Sequence, residues 1–268
     1  MQGGHQAGIY SIFTVLVGFA TFCTAFALLA QGGYGRGELN PVSDIDLLFL
    51  YSWKVSPFIE ATTEKLLYTL WDAGLEVGHA TRSIAESMRL AEIDMKVRTS
   101  LLGTRFLCGD YALSQDFEKK IEERLVKKGV RRFIREKLAE NRARHEQFGG
   151  SVYLLEPDVK EGEGGLRDIQ TARWIARANL KIKDLDGLAR ADIIQPRDIA
   201  QLKESQDFLL RVRNELHFST GKHQDQLTFE HQEKVSAALG FEGEGTLRGV
   251  EVFMRCYYLH ATHINRLS

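Results

Sequence analysis

Two apolar runs flank a glycine-rich stretch, and the second run opens on Asp44-x-Asp46; no other feature constrains the chain as much. Residues 24–30 (TAFALLA) precede the glycines, and residues 44–51 (DIDLLFLY) follow a polar loop through Asn40-Pro41. Leu47, Leu48, Phe49 and Leu50 form the continuous apolar run expected of a strand buried on both faces. Side chains alternate across a strand, so Asp44 and Asp46 share a face while Ile45 and Leu47 point into the core. Two adjacent carboxylates repel unless a cation lies between them, and oxygen ligands of this kind suit Mg²⁺. An Asp-x-Asp pair alone also describes an exposed strand start. The glycines narrow the choice, because Gly32 and Gly33 let the backbone approach a polyphosphate and offer it amide N–H groups. Arg36 adds a forked donor for phosphate oxygens. No Gly-Lys-Ser/Thr follows, so this is no Walker A loop, and the dinucleotide-binding spacing is absent.

A third carboxylate is expected on the next strand, residues 75–81, where Glu76 lies between Leu75 and Val77. It could complete a two-metal clamp or help deprotonate an attacking hydroxyl. A water-facing edge Glu is the plainer alternative, and Asp94 is the rival third carboxylate. Around these strands the pattern predicts a helix over 57–71, stopped at Ala73-Gly74. A short helix is predicted over 83–90, with Ser83 and Glu86 at capping-box spacing. His79 is expected to be a hydrogen-bonded core histidine.

The chain's 268 residues, 44% hydrophobic and 26% charged, fit one catalytic domain with a companion. A net charge of -1 gives no electrostatic case for nucleic acid as a partner. Cys23, Cys108 and Cys256 are too widely spaced for a zinc site or a disulfide framework. Residues 1–35 carry no Lys, Arg, Asp or Glu. Residues 9–30 are long enough to span a bilayer, but they lack a basic flank and run directly into the glycines. If 24–30 is a strand, what remains is too short to cross, so a core helix plus a core strand is expected, with a membrane anchor as the alternative. Beyond Gly109-Asp110 the pattern is helical throughout, with a break near Gly129. The expected division is an apolar segment 1–23, a catalytic domain 24–110 and a helical domain 111–268. The fold class is α+β: a mixed sheet with helices, then an all-α domain.

The stretch GGYGRGELNPVSDIDLLFL resembles the signature of the DNA polymerase β-like nucleotidyltransferases. Within them it is most similar to the bacterial PII uridylyltransferases. LEVGHATR (75–82), LEPDVKEGEGGLRDI (155–169) and RNELHFSTGKHQDQLTF (213–229) point the same way. The resemblance runs from about residue 27 to the C-terminus. It implies Mg²⁺-dependent transfer of UMP from UTP to a tyrosine of the PII signalling protein, with two metal ions and release of pyrophosphate in the cytoplasm. It assigns Gly32 and Gly33 to the triphosphate, Asp44 and Asp46 to metal, and Glu76 to the third position.

Lys160 and Arg167, flanking Gly162, Gly164 and Gly165, are expected to approach the nucleotide or the incoming PII loop; a turn feeding a helix is the plainer reading. Arg213 and His217 share a helix face, with His223 and Asp225 just beyond, and are expected to be structural or solvated. Family members continue into a uridylyl-removing HD domain and sensing ACT domains. This sequence ends at Ser268 and has no His-Asp pair, so neither activity is expected of it. An adenylyltransferase of the same superfamily is one alternative function. A catalytically impaired nucleotide-binding or membrane-attached module is another.

Overall fold

The computed structural model describes residues 26–52, 55–126 and 129–268. Two compact units emerge: one runs to Leu39 and from Ser43 to Lys128, the other comprises Asn40–Val42 and Gly129–Ser268.

The first unit is built on a four-stranded sheet, β1 (Phe26–Ala30), β2 (Ile45–Tyr51), β3 (Val77–Ser83) and β4 (Arg105–Gly109), in the order β3-β2-β1-β4. β1 runs antiparallel to β2, with Phe26 opposite Tyr51 and Ala30 opposite Leu47. β3 joins β2 in parallel, so the sheet is mixed. The expected strand before the glycines therefore pairs beside the aspartate strand. Thr24, Ala25 and the rest of the apolar N-terminal stretch lie outside the described residues. Among the described residues no helix is long and apolar enough to cross a membrane.

One sheet face carries Phe26, Leu28, Leu47, Phe49 and Tyr51, which pack with Ile59, Leu66, Leu67 and Leu70 of α2 (Pro57–Asp72). Every residue of β1 is buried, as a central strand between two covered faces requires. α3 (Ile84–Ile93), α4 (Met95–Leu102) and α5 (Tyr111–Ile121) follow, the last continuing into a π-helical turn, Glu122–Val126. Ser83 caps α3 in the expected capping box with Glu86. Glu86 also accepts the Tyr51 hydroxyl at 2.8 Å.

Three expectations need correction here. Gly109-Asp110 is no domain boundary: Gly109 ends β4, and the Asp110 N–H donates to the Phe26 carbonyl at 2.7 Å. α5, assigned from sequence to the helical domain, clusters with the sheet. His79 is exposed rather than a core residue, edge-on to the rings of Phe49 and Trp71; β3 is an edge strand, so this ring sits at the rim.

The second unit is all-helical after Gly129: α6 (Val130–Gln147), α7 (Leu166–Leu180), α8 (Leu185–Arg190), α9 (Pro196–Thr220), α10 (Phe229–Ala238) and α11 (Gly249–Leu267). Gly129, at φ 65, forms the expected break and precedes α6. The core includes Leu209, Val212 and Leu216 of α9 with Phe253, Tyr257 and Ile264 of α11.

Candidate active site

In the first unit Ala30 ends β1 and the glycine-rich stretch forms α1 (Gly32–Arg36), a single helical turn. Gly32 has φ +55, and a β-carbon there would collide with Asp46 Oδ2. A β-carbon on Gly78 would stand 2.7 Å from Asp46 Oδ1. Asp46 pairs with Gly78 in the β2–β3 ladder, so its half-buried carboxylate lies in a cradle made by two glycines. Any other residue at either position would fill that space.

Asp44 directly precedes β2 and is exposed. The Ile45 N–H donates to the Glu76 carbonyl at 2.8 Å, carrying the ladder one step beyond β3. Glu76 is two residues before Gly78, and strand alternation directs both to the Asp46 face. Glu76 is exposed. Asp94 is spent elsewhere: its Oδ1 accepts from the Lys96 and Val97 N–H groups and caps α4. The Asp46 carboxylate in its glycine cradle is the kind of hard oxygen ligand that Mg²⁺ takes. Asp44 and Glu76 stand before β2 and β3, and among the described residues the three do not gather their ligand atoms within 4.8 Å of one another.

α1 is held by a residue the sequence did not single out. Arg105 donates Nη2 to the Tyr34 carbonyl at 2.8 Å and Nε to the Gly35 carbonyl at 3.3 Å, and its guanidinium lies over the Tyr34 ring. A cation on the last carbonyls of a helical turn complements its dipole. Arg36, expected to meet phosphate, donates Nε to Glu38 Oε2 at 2.7 Å.

In the second unit, Lys160 and Arg167 belong to an internal network. Asp158 Oδ1 accepts from the Lys160 and Glu161 N–H groups and closes the turn at 2.9 and 2.6 Å. Arg167 pairs with Glu161 at 2.8 Å, donates to Gln170 at 2.7 Å and lies over the Trp174 ring. Lys160 Nζ stands 3.7 Å from Asp225, and burial pushes its ammonium pKa down. Asp168 is buried and accepts from the Gly164 N–H at 2.8 Å, from Arg144 Nη2 and from His145. Arg144 also donates to the Glu161 carbonyl. Arg144, His145 and Asp168 thus hold the glycine loop in shape. Arg144 and His145 gave no sequence signal, because they lie in a charged helix far along the chain.

Arg213, His217, His223 and Asp225 form one cluster around the end of α9. Arg213 Nε donates to Asp225 Oδ1 at 2.7 Å, and Nη2 lies 3.3 Å from Oδ2 and 3.2 Å from His223 Nε2. Among the described residues, His217, His223 and Asp225 bring potential metal-ligand atoms within 4.8 Å of one another. Arg213 and Lys160 oppose that use, since both direct positive charge at the same carboxylate.

Comparison with known proteins follows the same division. Residues 26–106 match the nucleotidyltransferase domain family, and residues 132–268 match the GlnD PII-uridylyltransferase family. The chain belongs to the GlnD PII-uridylyltransferase family. It is 43% identical over 242 residues to the bifunctional uridylyltransferase/uridylyl-removing enzyme of Cereibacter sphaeroides, covering 90% of this chain and 26% of that protein. The enzyme of the same name from Nitrobacter winogradskyi is 42% identical with the same coverage. That from Azospirillum brasilense is 40% identical, covering 91% of this chain and 26% of its own length. The chain therefore spans about a quarter of the length of these relatives. The nucleotidyltransferase match contains α1, β2 and β3, and with them Gly32, Gly33, Asp44, Asp46 and Glu76.

Proposed function

We propose that this chain transfers UMP from UTP to a tyrosine hydroxyl of a PII protein and releases pyrophosphate. The observation that carries the reading is the Asp46 carboxylate in its Gly32–Gly78 cradle; Asp44 and Glu76 come just before the two strands that form it. These three carboxylates would hold Mg²⁺. When bound, the metal supplies charge neutralisation at the α-phosphate and at the departing pyrophosphate. Gly32 makes room for the Asp46 carboxylate, and Gly32 and Gly33 would offer backbone N–H groups to the triphosphate. Glu76, exposed at its strand end, can also take the proton from the attacking tyrosyl oxygen. The tyrosyl oxygen bonds to the α-phosphorus as the bond from that phosphorus to the leaving oxygen breaks. Arg36, Lys160 and Arg167 would reach phosphate only by exchanging the carboxylate partners they hold here. A nucleoside triphosphate substrate supports a cytoplasmic setting for the reaction.

The test is transfer of labelled UMP to purified PII with Mg²⁺, comparing wild type with Asp44→Asn/Asp46→Asn. The double variant should lose transfer by three orders of magnitude or more, about 4 kcal/mol of transition-state stabilisation, with its circular dichroism intact. Unchanged turnover would sink the assignment. AMP preference over UMP would replace uridylyl by adenylyl transfer.

A further inference from the structure

Asn40, Pro41 and Val42 connect α1 to Asp44 in sequence, yet these three residues cluster with the helical unit. The reason lies on α9. Asn40 is 4% exposed; its Oδ1 accepts from Arg213 Nη1, and its Nδ2 donates to Asn214 Oδ1 at 2.6 Å. The Pro41 carbonyl is bonded to His217 Nδ1. Asp225 stands behind both side chains, 2.7 Å from Arg213 Nε and 3.3 Å from His217 Nε2. Val42, the next residue, has φ 58. That is left-handed backbone, costly for a β-branched residue, and it persists only where the surroundings over-determine it. The Val42 side chain is 48% exposed, so its own burial offsets little of the cost. The support must come from the residues on either side.

We propose that Arg213, Asn214 and His217 act as a positioning clamp on Asn40 and Pro41, sustaining the strained turn at Val42 from which the chain enters Asp44. None of them touches substrate. Their effect passes along the backbone to the first metal-ligating carboxylate, and the proposal rests on the transfer reaction given above. The clamp fixes a direction of approach rather than a binding contact, so its loss should appear in turnover more than in nucleotide affinity.

Asn40→Ala removes both side-chain bonds. Asn40→Asp keeps an acceptor for Arg213, and Asn214 can turn its amide to donate to it. The experiment measures kcat and KM for UTP together with amide hydrogen exchange. Asn40→Ala should lower kcat about tenfold or more while KM for UTP moves less than about threefold. Exchange at residues 40–46 should speed up while α9 remains as protected as in wild type. Asn40→Asp should restore most of both. The clamp is overturned if Asn40→Ala leaves kcat and exchange at 40–46 unchanged. It is also overturned if both variants loosen α9 as a whole, which would mark Asn40 as ordinary packing. Should the wild type transfer no UMP at all, the uridylyl reading falls, and the exchange measurements still decide the clamp.

Discussion

Gly78 and Asp46 face each other across a parallel ladder, and the absence of a side chain on one defines the position of the other. A methyl group at Gly78 would sit 2.7 Å from Asp46 Oδ1, too close for a carbon and an oxygen. Either Asp46 turns away or β3 shifts from β2. Gly78→Ala should therefore cost about 1–3 kcal/mol of stability, the usual penalty for overpacking. It should reduce Mg²⁺-dependent turnover further, by about a hundredfold, because a ligand displaced by an ångström no longer meets the metal. Thermal unfolding and steady-state kinetics on the same preparation separate the two effects; a stability loss with turnover intact would show that the cradle is packing alone. The strand that carries Asp46, with Asp44 just before it, was legible in sequence because apolar runs and strand alternation are local rules. Gly78 was not, because its value depends on a pairing register that no local pattern specifies.

At the scale of elements, the turn after α9 is tied back to the helix by Asp225. Burial opposes ionisation of this carboxyl. Hydrogen bonds from His217 and Arg213, with the charges of Arg213 and Lys160, outweigh that cost and hold it well below the usual carboxylate range. A carboxyl depressed in the folded state contributes stability that is complete above its unfolded value of 3.8 and is lost as pH falls. Asn in its place carries no proton to lose. Asp225→Asn should cost about 3 kcal/mol at neutral pH, since it leaves Arg213 buried beside a neutral partner. The gap between wild type and variant should hold above about pH 5 and narrow below about pH 4. Denaturant unfolding at several pH values measures it, and a gap that widened on acidification would contradict the sign. The sequence placed Arg213 and His217 on one helix face and allowed them to be solvated; the fold buries both, since Asp225 returns over that face. Helices with caps and periodicity, such as α2 and α3, were readable to within a few residues. β4 was missed because Arg105–Gly109 has five residues, no clean alternation and a register shift against β1 between Leu28 and Leu29.

At the scale of the whole molecule, the expected boundary after Asp110 followed a change in composition. The observed one follows packing, since α5 is charged on its outer face yet buries Leu113, Phe117 and Ile121 with the sheet unit. Composition reports a helix's solvent side, while contact with a core decides its unit. The same distinction limits what the net charge of -1 says about the surface: Lys137, Arg144 and Arg213 are buried and paired. Occupancy of the Asp44–Asp46 site can be read from unfolding, because a ligand that binds only the native state stabilises the unit that holds its site. Mg²⁺ with UTP at a hundredfold excess over Kd adds about 2.7 kcal/mol. A chain of this size gains about 2–4 °C per kcal/mol, so Tm should rise by about 5–10 °C. Neither UTP alone nor Mg²⁺ alone should match this, because the carboxylates repel the triphosphate until the metal lies between them. Asp44→Asn/Asp46→Asn should lose most of the Mg²⁺-dependent part of the shift. A larger shift with ATP than with UTP would move the nucleotide assignment to adenylyl transfer while leaving the metal site standing, and an equal shift in the double variant would place nucleotide binding away from these aspartates.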